Sequence, residues 1–537
     1  MELEQDEYDV VVIGTGLAES IAAASLAKTG RSVLHLDPNE YYGSSQASLT
    51  LDELSSLASS SSASHLSRFS HFSTSPLSAD LEASRRQYAL SLFPSVLPSR
   101  GPLITTLIAS DVSKYVSFRL LDSVSVWDNE TGTVRRVPGS KEEVFKDTSV
   151  GLVDKRRLMK FLMWAGGEFE NDQILQGKES QPLSEFLQQS FSLPPALAIS
   201  ITYAIAHCST VTDATLPALQ RTRRYLRSVG RYGSGAFLIG QYGGAGEVAQ
   251  GFCRACAVHG GTYVLGSAGQ PSSIELDGQK GVTVQIPGHP RPILAKHLIT
   301  SPDHLPQSLN PPPDKSDTSR SRDSSEASKR TTTTAHCIAV LPSLPSCLTR
   351  PIPNDIQNEG EQEEGDGDSG NDDTAVVLFP PTADADEAQV VRGLMMGEGT
   401  GSCPSGQYIL YLFTSKSADT DTDPSSILKP YLERLHSNPL FTCFYLQKHY
   451  YSSSSSSSSG SLSSSSNALS SKSPAIIVLD PYSGTELLTE GLDWEAEQGE
   501  AAFWAVVGDK EQVEEGKGFF DAPKVEGDES EPLDDDL

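Results

Sequence analysis

The run Tyr8-Asp9-Val10-Val11-Val12-Ile13-Gly14-Thr15-Gly16-Leu17-Ala18-Glu19-Ser20 constrains this chain more than any other segment. An apolar stretch, Val10 to Ile13, leads into Gly14-Thr15-Gly16, and Leu17, Ile21 and Ala24 follow at helical spacing. Strand, glycine turn and helix in that order open a Rossmann βαβ unit. Gly30 is expected to stop the helix near Thr29, and Ser32 to Leu36 reads as a second strand closed by Asp37. The pattern breaks at its third glycine, which is Glu19. In a working site a glycine there lets helix and strand pack closely. Glu19 is bulky, and it puts a carboxylate at the helix N-terminus where a pyrophosphate would lie, so two anions would compete for one set of N–H donors. Asp37 stands at the usual position of a ribose-binding acid, but beside Glu19 it is expected to cap the strand end and tie down the next loop. The fold expected is α/β and flavoprotein-like (FAD/NAD(P)-binding, Rossmann-type). Gly14, Gly16, Glu19 and Asp37 would then form a vestigial dinucleotide turn with no flavin bound.

Further along, Leu103 to Phe118 suggests a helix, and Asp122 to Trp127 a strand that pairs with Val134 to Pro138. From 151 to 232 the periodicity is helical. Leu158, Phe161, Leu162 and Ala165 recur at i, i+3, i+4 and i+7, and Leu183, Phe186 and Leu187 repeat the pattern. Pro194-Pro195 opens a helix over 196–206 that is apolar almost all round, the mark of burial on several sides. The expected organisation is a Rossmann-like first part (1–150, with low-complexity 55–80), an inserted helical domain (151–232), and a second part of the first domain (233–510). That second part would carry disordered stretches at 306–334, 354–373 and 451–473, and 511–537 would be a disordered acidic tail. Ala475 to Leu479 and Ala502 to Val507 read as strands rejoining the first domain.

Composition excludes some functions. The 537 residues carry a net charge of −29, which argues against nucleic acid as a partner because phosphate binding needs a basic face. Seven cysteines, an odd and sparse set, fit a reducing compartment, and Met1-Glu2-Leu3-Glu4 is not a secretory signal. A cytoplasmic protein is the expectation. Cys253-x-x-Cys256 has no second pair and no histidine at suitable spacing, so no metal site is expected and both cysteines read as buried. Arg221, Arg223, Arg224, Arg227 and Arg231 form a basic strip that reads as a solvated helix face.

Three separated blocks carry a resemblance. Gly14-Thr15-Gly16-Leu17-x-Glu19-Ser20, with Asp37 and Tyr41-Tyr42-Gly43 behind, is the first. Gly246-Glu247-Val248-Ala249-Gln250-Gly251-Phe252-Cys253-Arg254 through Gly260-Gly261-x-Tyr263 is the second. Asp154-Lys155-Arg156-Arg157-x-Met159-Lys160-Phe161-Leu162 is the third. Together they resemble the Rab GDP-dissociation inhibitor and Rab escort protein superfamily, and the escort branch more closely, in a fungal-type form. The resemblance implies a protein that holds no flavin and is not itself an enzyme. It implies binding of Rab GTPases in the GDP state through Tyr42, Glu247, Arg254 and Val264, the last standing where inhibitors carry a methionine.

The resemblance further implies contact with the geranylgeranyltransferase type II α/β heterodimer through Phe145 and Arg156. It implies a cleft for the geranylgeranyl lipid, with Leu197, Ile201 and Ile205 as candidate lining residues, and transient delivery to membranes. A dissociation inhibitor that recycles prenylated Rabs, and an FAD-dependent oxidoreductase, are the alternative expectations. Two departures from the family pattern stand out: Ser44 follows Gly43 where a second glycine is usual, and the run Tyr242-Gly243-Gly244-Ala245-Gly246-Glu247 is one residue longer.

Overall fold

The computed structural model describes residues 3–59, 68–139, 141–146, 150–276, 281–306, 309, 331–349, 371–381, 389–417, 422–450, 475–482, 486–508 and 518–520. Five parallel strands lie side by side in the order Thr262–Leu265, Val33–Asp37, Glu7–Ile13, Ile293–Thr300 and Ile476–Val478. The first strand therefore sits at the centre, as in a doubly wound nucleotide-binding sheet. Ile293–Thr300 gives its far edge to two partners in turn. Its first residues pair with antiparallel Val282–Gln285 and its last with Ile476–Val478.

Leu17–Lys28 ends at Thr29, with Gly30 left-handed behind it, as the glycine predicts. Its surroundings differ from the expected one-sided face. Every residue from Leu17 to Ala27 is buried, because the helix is clamped between the helices Ala245–Val258 and Leu487–Val507 as well as the sheet. Small residues make this possible. A Cβ on Gly499 would lie 2.7 Å from the Ile21 side chain, so the last long helix and the first touch nearly backbone to backbone.

A second sheet of eight strands runs Phe69–Thr74, Phe441–Tyr450, Thr331–Leu341, Tyr408–Ser417, Val391–Gly397, Thr374–Phe379, Ser123–Asp128 and Thr133–Val137. All its pairs are antiparallel except Thr374–Phe379 with Ser123–Asp128. Alternate residues of Thr331–Leu341 face opposite ways. Ile338 and Val340 join the main core, while Cys337, Ala339 and Leu341 pack with Leu428, Leu432 and Leu435 of the helix Pro424–Leu435.

The helices Leu152–Gly166, Leu183–Phe191, Pro195–Ser200 and Thr215–Ser228 gather around an aromatic cluster of Phe161, Trp164, Phe169, Phe186 and Phe191. Pro195 occupies the first turn of its helix as expected. The helix expected over 196–206 changes character part-way. Its second half, Ile201–Ile205, is a π turn closed by Ala206 N–H donating to Ile201 O at 2.8 Å.

Several expectations are corrected. The arginine strip is a solvated face only in part, because Arg227 and Arg231 are exposed while Arg221, Arg223 and Arg224 are partly buried. Arg221 donates to Ala206 O, Arg223 grips Glu170 and covers the Phe169 ring, Arg224 pairs with Asp493 at 3.1 Å, and Arg231 donates to Ser99 O. Low-complexity composition also overstated disorder at its borders. Leu51–Ser59 is a helix, and Phe69–Thr74 is an edge strand whose Phe69 meets Tyr445 edge-on while Phe72 stacks on it. Thr331 to Thr334 begin a long strand, Asp372 and Asp373 pair with Arg136 and Arg119, and Phe519-Phe520 pack against Phe503 and Phe252. In each case a few apolar or ion-pairing residues at the end of a polar run are enough to anchor it. Residues 451–473 lie outside the described residues. Ala502 to Val507, read as a strand, belong to the helix Leu487–Val507. No described helix is long and apolar enough to cross a membrane.

Asp493 binds this assembly together, taking Arg224 on one oxygen and the Leu103 N–H at 3.0 Å on the other. Asp493→Ala leaves Arg224 and that N–H without their partner. Stability should fall by about 3 kcal/mol, read as a lower midpoint of urea unfolding.

Candidate functional site

The glycine turn is held by the chain's own side chains. Asp37 Oδ2 accepts from the Thr15 N–H (2.7 Å), the Thr15 hydroxyl (2.6 Å) and the Ser44 hydroxyl (2.9 Å). Its Oδ1 accepts from the backbone and side-chain N–H groups of Asn39. The expected loop-tying role is therefore what Asp37 performs. Ser44, a departure from the family pattern, keeps the left-handed backbone a glycine would take (φ 45°) and adds hydrogen bonds to Asp37 and Thr15 N–H. His35 Nε2 bonds to Gly14 O, which can only accept, so Nε2 carries the proton and Nδ1 accepts from the Tyr263 hydroxyl. Burial holds this imidazole neutral, down to about 4.

The way Glu19 blocks the turn differs from the expected contest of anions. Its side chain folds back over the glycines, so that a Cβ on Gly16 would lie 2.5 Å from Oε2. His304 covers the same turn from the far side, 2.8 Å from where a Gly14 Cβ would stand. The N–H of Leu17 at the helix start is taken by Gln46 Oε1 at 2.9 Å. Burial, with Glu495 nearby, pushes the Glu19 carboxyl up to about 8, so it is largely neutral at pH 7. It excludes by bulk. The remaining cavity, lined by Gly16, Glu19, Gln46, Arg68, Asp303 and Glu495 among others, is about 30 Å³, room for about two waters. These residues do not fit a dinucleotide. Gln46 and the Arg68–Asp303 ion pair were not foreseen, and Arg68 was hidden at the end of the serine-rich stretch.

Beside the turn, the helix Ala245–Val258 presents Glu247, Gln250 and Arg254 outward while Val248, Phe252 and Cys256 face the core. Arg254 lies over the Tyr115 ring at 4.5 Å. No ion pair joins it to Glu247 among the described residues. Half-burial raises the Glu247 carboxyl above its ordinary range. Tyr42 is half-buried, edge-on to Tyr263, and through Tyr263 and His35 it is linked to the glycine turn. Tyr42, Glu247 and Arg254 thus share one region. Val264 does not join their surface. It is only 3% exposed, paired with Leu36 of the neighbouring strand and in the same core cluster as Leu36 and Val11. Cys253 and Cys256 are buried, with Cys253 against the Ser20 hydroxyl at 3.2 Å. Among the described residues no cluster of His, Cys, Asp and Glu could hold a metal ion.

Phe145 is not the core residue such a ring usually becomes. It is 56% exposed on the short helix Lys141–Lys146. Arg156 is exposed on the neighbouring helix, and Lys155 Nζ donates to Phe145 O at 2.7 Å, which ties the two segments together. Leu152, Val153 and Met163 leave apolar surface exposed on that same helix. Of the lipid-lining candidates, Ile201 and Ile205 are core and Leu197 packs partly buried against it.

The family described as GDP dissociation inhibitor matches residues 4–311, more than half of the chain. The chain belongs to that family. It is 29% identical over 427 residues to the Rab proteins geranylgeranyltransferase component A of Saccharomyces cerevisiae, covering 78% of this chain and 64% of that protein. It is 28% identical over 500 residues to Rab escort protein 1 of Arabidopsis thaliana, covering 82% and 81%. The chain thus spans a little under two thirds of the yeast relative's length. The crystal structure of a Rab GDI from Plasmodium falciparum shares the fold, with a TM-score of 0.63 at 16% identity over 94% of this chain and 98% of that one.

The buried carboxyls set a pH dependence. Glu19 (about 8) and Glu495 (about 7) keep protons when folded that they lose above 4.5 when unfolded. Their contribution is therefore present below about pH 4.5 and is lost as pH rises through about 8, at up to about 1.4 kcal/mol per pH unit per group. Glu19→Gln, which mimics the neutral acid, should flatten the decline. Urea midpoints at about pH 5 and about pH 8 should differ less for the variant than for the unaltered chain.

Proposed function

We propose that this chain is an escort-type member of its family, a non-catalytic accessory component of Rab geranylgeranyltransferase. It binds Rab GTPases in the GDP state through Tyr42, Glu247 and Arg254 and presents them for C-terminal geranylgeranylation. It then escorts the prenylated Rab to a membrane. The observation that carries this reading is the exposed pair Phe145 and Arg156, braced by Lys155 on the helical segment and apart from the helix that bears Glu247 and Arg254. The names of the yeast and Arabidopsis relatives support the same choice of branch.

Binding Rab·GDP in preference to other states biases the GTPase toward that state. A tyrosine and an arginine are suited to such a surface, one as a rigid anchor and one as a bidentate fork. The transferase docks at Phe145 and Arg156, leaving the Rab C-terminus free to reach it. A geranylgeranyl chain costs ~0.8 kcal/mol per exposed CH₂, so the product must be shielded, and the apolar helices around Leu197, Ile201 and Ile205 do this by opening. The protein works in the cytosol, touches membranes transiently and takes no flavin. The filled glycine turn and the saturated Asp37 support that last point.

Reconstitution tests the reading. GDP-loaded Rab, the transferase heterodimer and labelled geranylgeranyl diphosphate should give labelled Rab only when this chain is present. Phe145→Ala should abolish labelling while Rab·GDP binding stays intact. Loss of both together would refute the division of labour, and labelling without this chain would refute the escort role. A flavin absorption band in the purified protein would refute the cofactor assignment.

A further inference from the structure

Directly before the helix Ala245–Val258, three successive residues have left-handed backbones: Tyr242 (φ 52°), Gly243 (φ 88°) and Gly244 (φ 77°). Glycines take such angles freely, but a tyrosine does not, because its Cβ crowds the neighbouring carbonyl. Core burial does not offset this strain. The Tyr242 ring is 53% exposed, and its hydroxyl has no partner among the described residues.

The strained residue is braced from behind. Its N–H donates to Thr400 O at 2.9 Å, the Gly243 N–H donates to the Ser402 hydroxyl at 3.2 Å, and the Gln241 N–H donates to Ser117 O at 3.0 Å. The back of the ring rests on Gly401, where an added Cβ would lie 2.5 Å from Cε1. Gly401 is itself left-handed (φ 67°) and belongs to the turn joining two strands of the eight-stranded sheet, Val391–Gly397 and Tyr408–Ser417. The loop bearing Tyr242 also meets the loop bearing Tyr42. A Cβ on Gly43 would sit 3.3 Å from the Gly246 Cα, and Glu247 follows at once. A strained, half-exposed aromatic, supported on its rear face and next to a docking surface, has the character of a binding anchor.

We propose that Tyr242 is a further anchor of the docking surface, meeting the GDP-state GTPase beside Tyr42, and that Gly401 sets its height and tilt. This rests on the Rab-binding reading above and extends the surface to a turn of the second sheet. Backbone strain separates this from a purely structural role. Tyr242→Gly relieves the strain while deleting the ring.

The experiment measures affinity for GDP-loaded Rab and the thermal midpoint for the full chain and for Tyr242→Gly, Gly401→Ala and the double variant, with Glu247→Ala and Arg254→Ala as references. We expect Tyr242→Gly to weaken binding about tenfold or more with an unchanged or higher midpoint. Gly401→Ala should weaken binding by tilting the ring, and the double variant should bind no worse than Tyr242→Gly alone. Binding unchanged in Tyr242→Gly, with Glu247→Ala or Arg254→Ala impaired, overturns this inference and leaves the Rab-binding reading standing. Failure of the unaltered chain to bind GDP-loaded Rab overturns both.

Discussion

The carboxylate of Asp37 accepts hydrogen bonds from the glycine turn, from the loop after its own strand and from the loop that carries Tyr42. In an enzyme of this fold a dinucleotide would bridge such elements. Here Asp37, Ser44, Gln46 and Glu19 tie and crowd the same turn. A buried carboxylate with five donors is well satisfied, whereas one with empty lone pairs would be costly. Asp37 acts as framework here, and through Ser44 it holds the loop that carries Tyr42.

The consequence runs outward along a short chain of contacts. The turn fixes His35, His35 fixes the Tyr263 hydroxyl, and Tyr263 meets Tyr42 edge-on. On the other side, Gly43 lies against Gly246, which starts the helix that carries Glu247 and Arg254. The surface proposed for docking is thus assembled from loops at the strand ends of a nucleotide fold, the place where that fold offers residues for binding. The exposed Phe145 stands on separate helical elements.

The central sheet was legible because its signals are local. Gly14-x-Gly16, Gly30 and Asp37 each do what their chemistry requires within a few residues. The eight-stranded sheet was not legible. Thr374–Phe379 and Val391–Gly397 are buried on both faces, which erases the alternation that marks a strand, and long polar stretches separate the members. Arg224 looked like a surface charge because its partner, Asp493, lies far along the chain. The neutral state of Glu19 could not be foreseen either, since it depends on burial and on Glu495. The resemblance put Val264 on a surface, but the strand's neighbours put it in the core.

The burial of the opening helix sets an order of events at synthesis. One of its flanks is closed by Leu487–Val507, so the alanine-rich surface of Leu17–Lys28 has no cover on that side until that distant helix has been made. The N-terminal unit cannot fold to completion as it emerges, and its apolar face waits in an unfinished state that invites association. Contacts of such long sequence separation also form slowly.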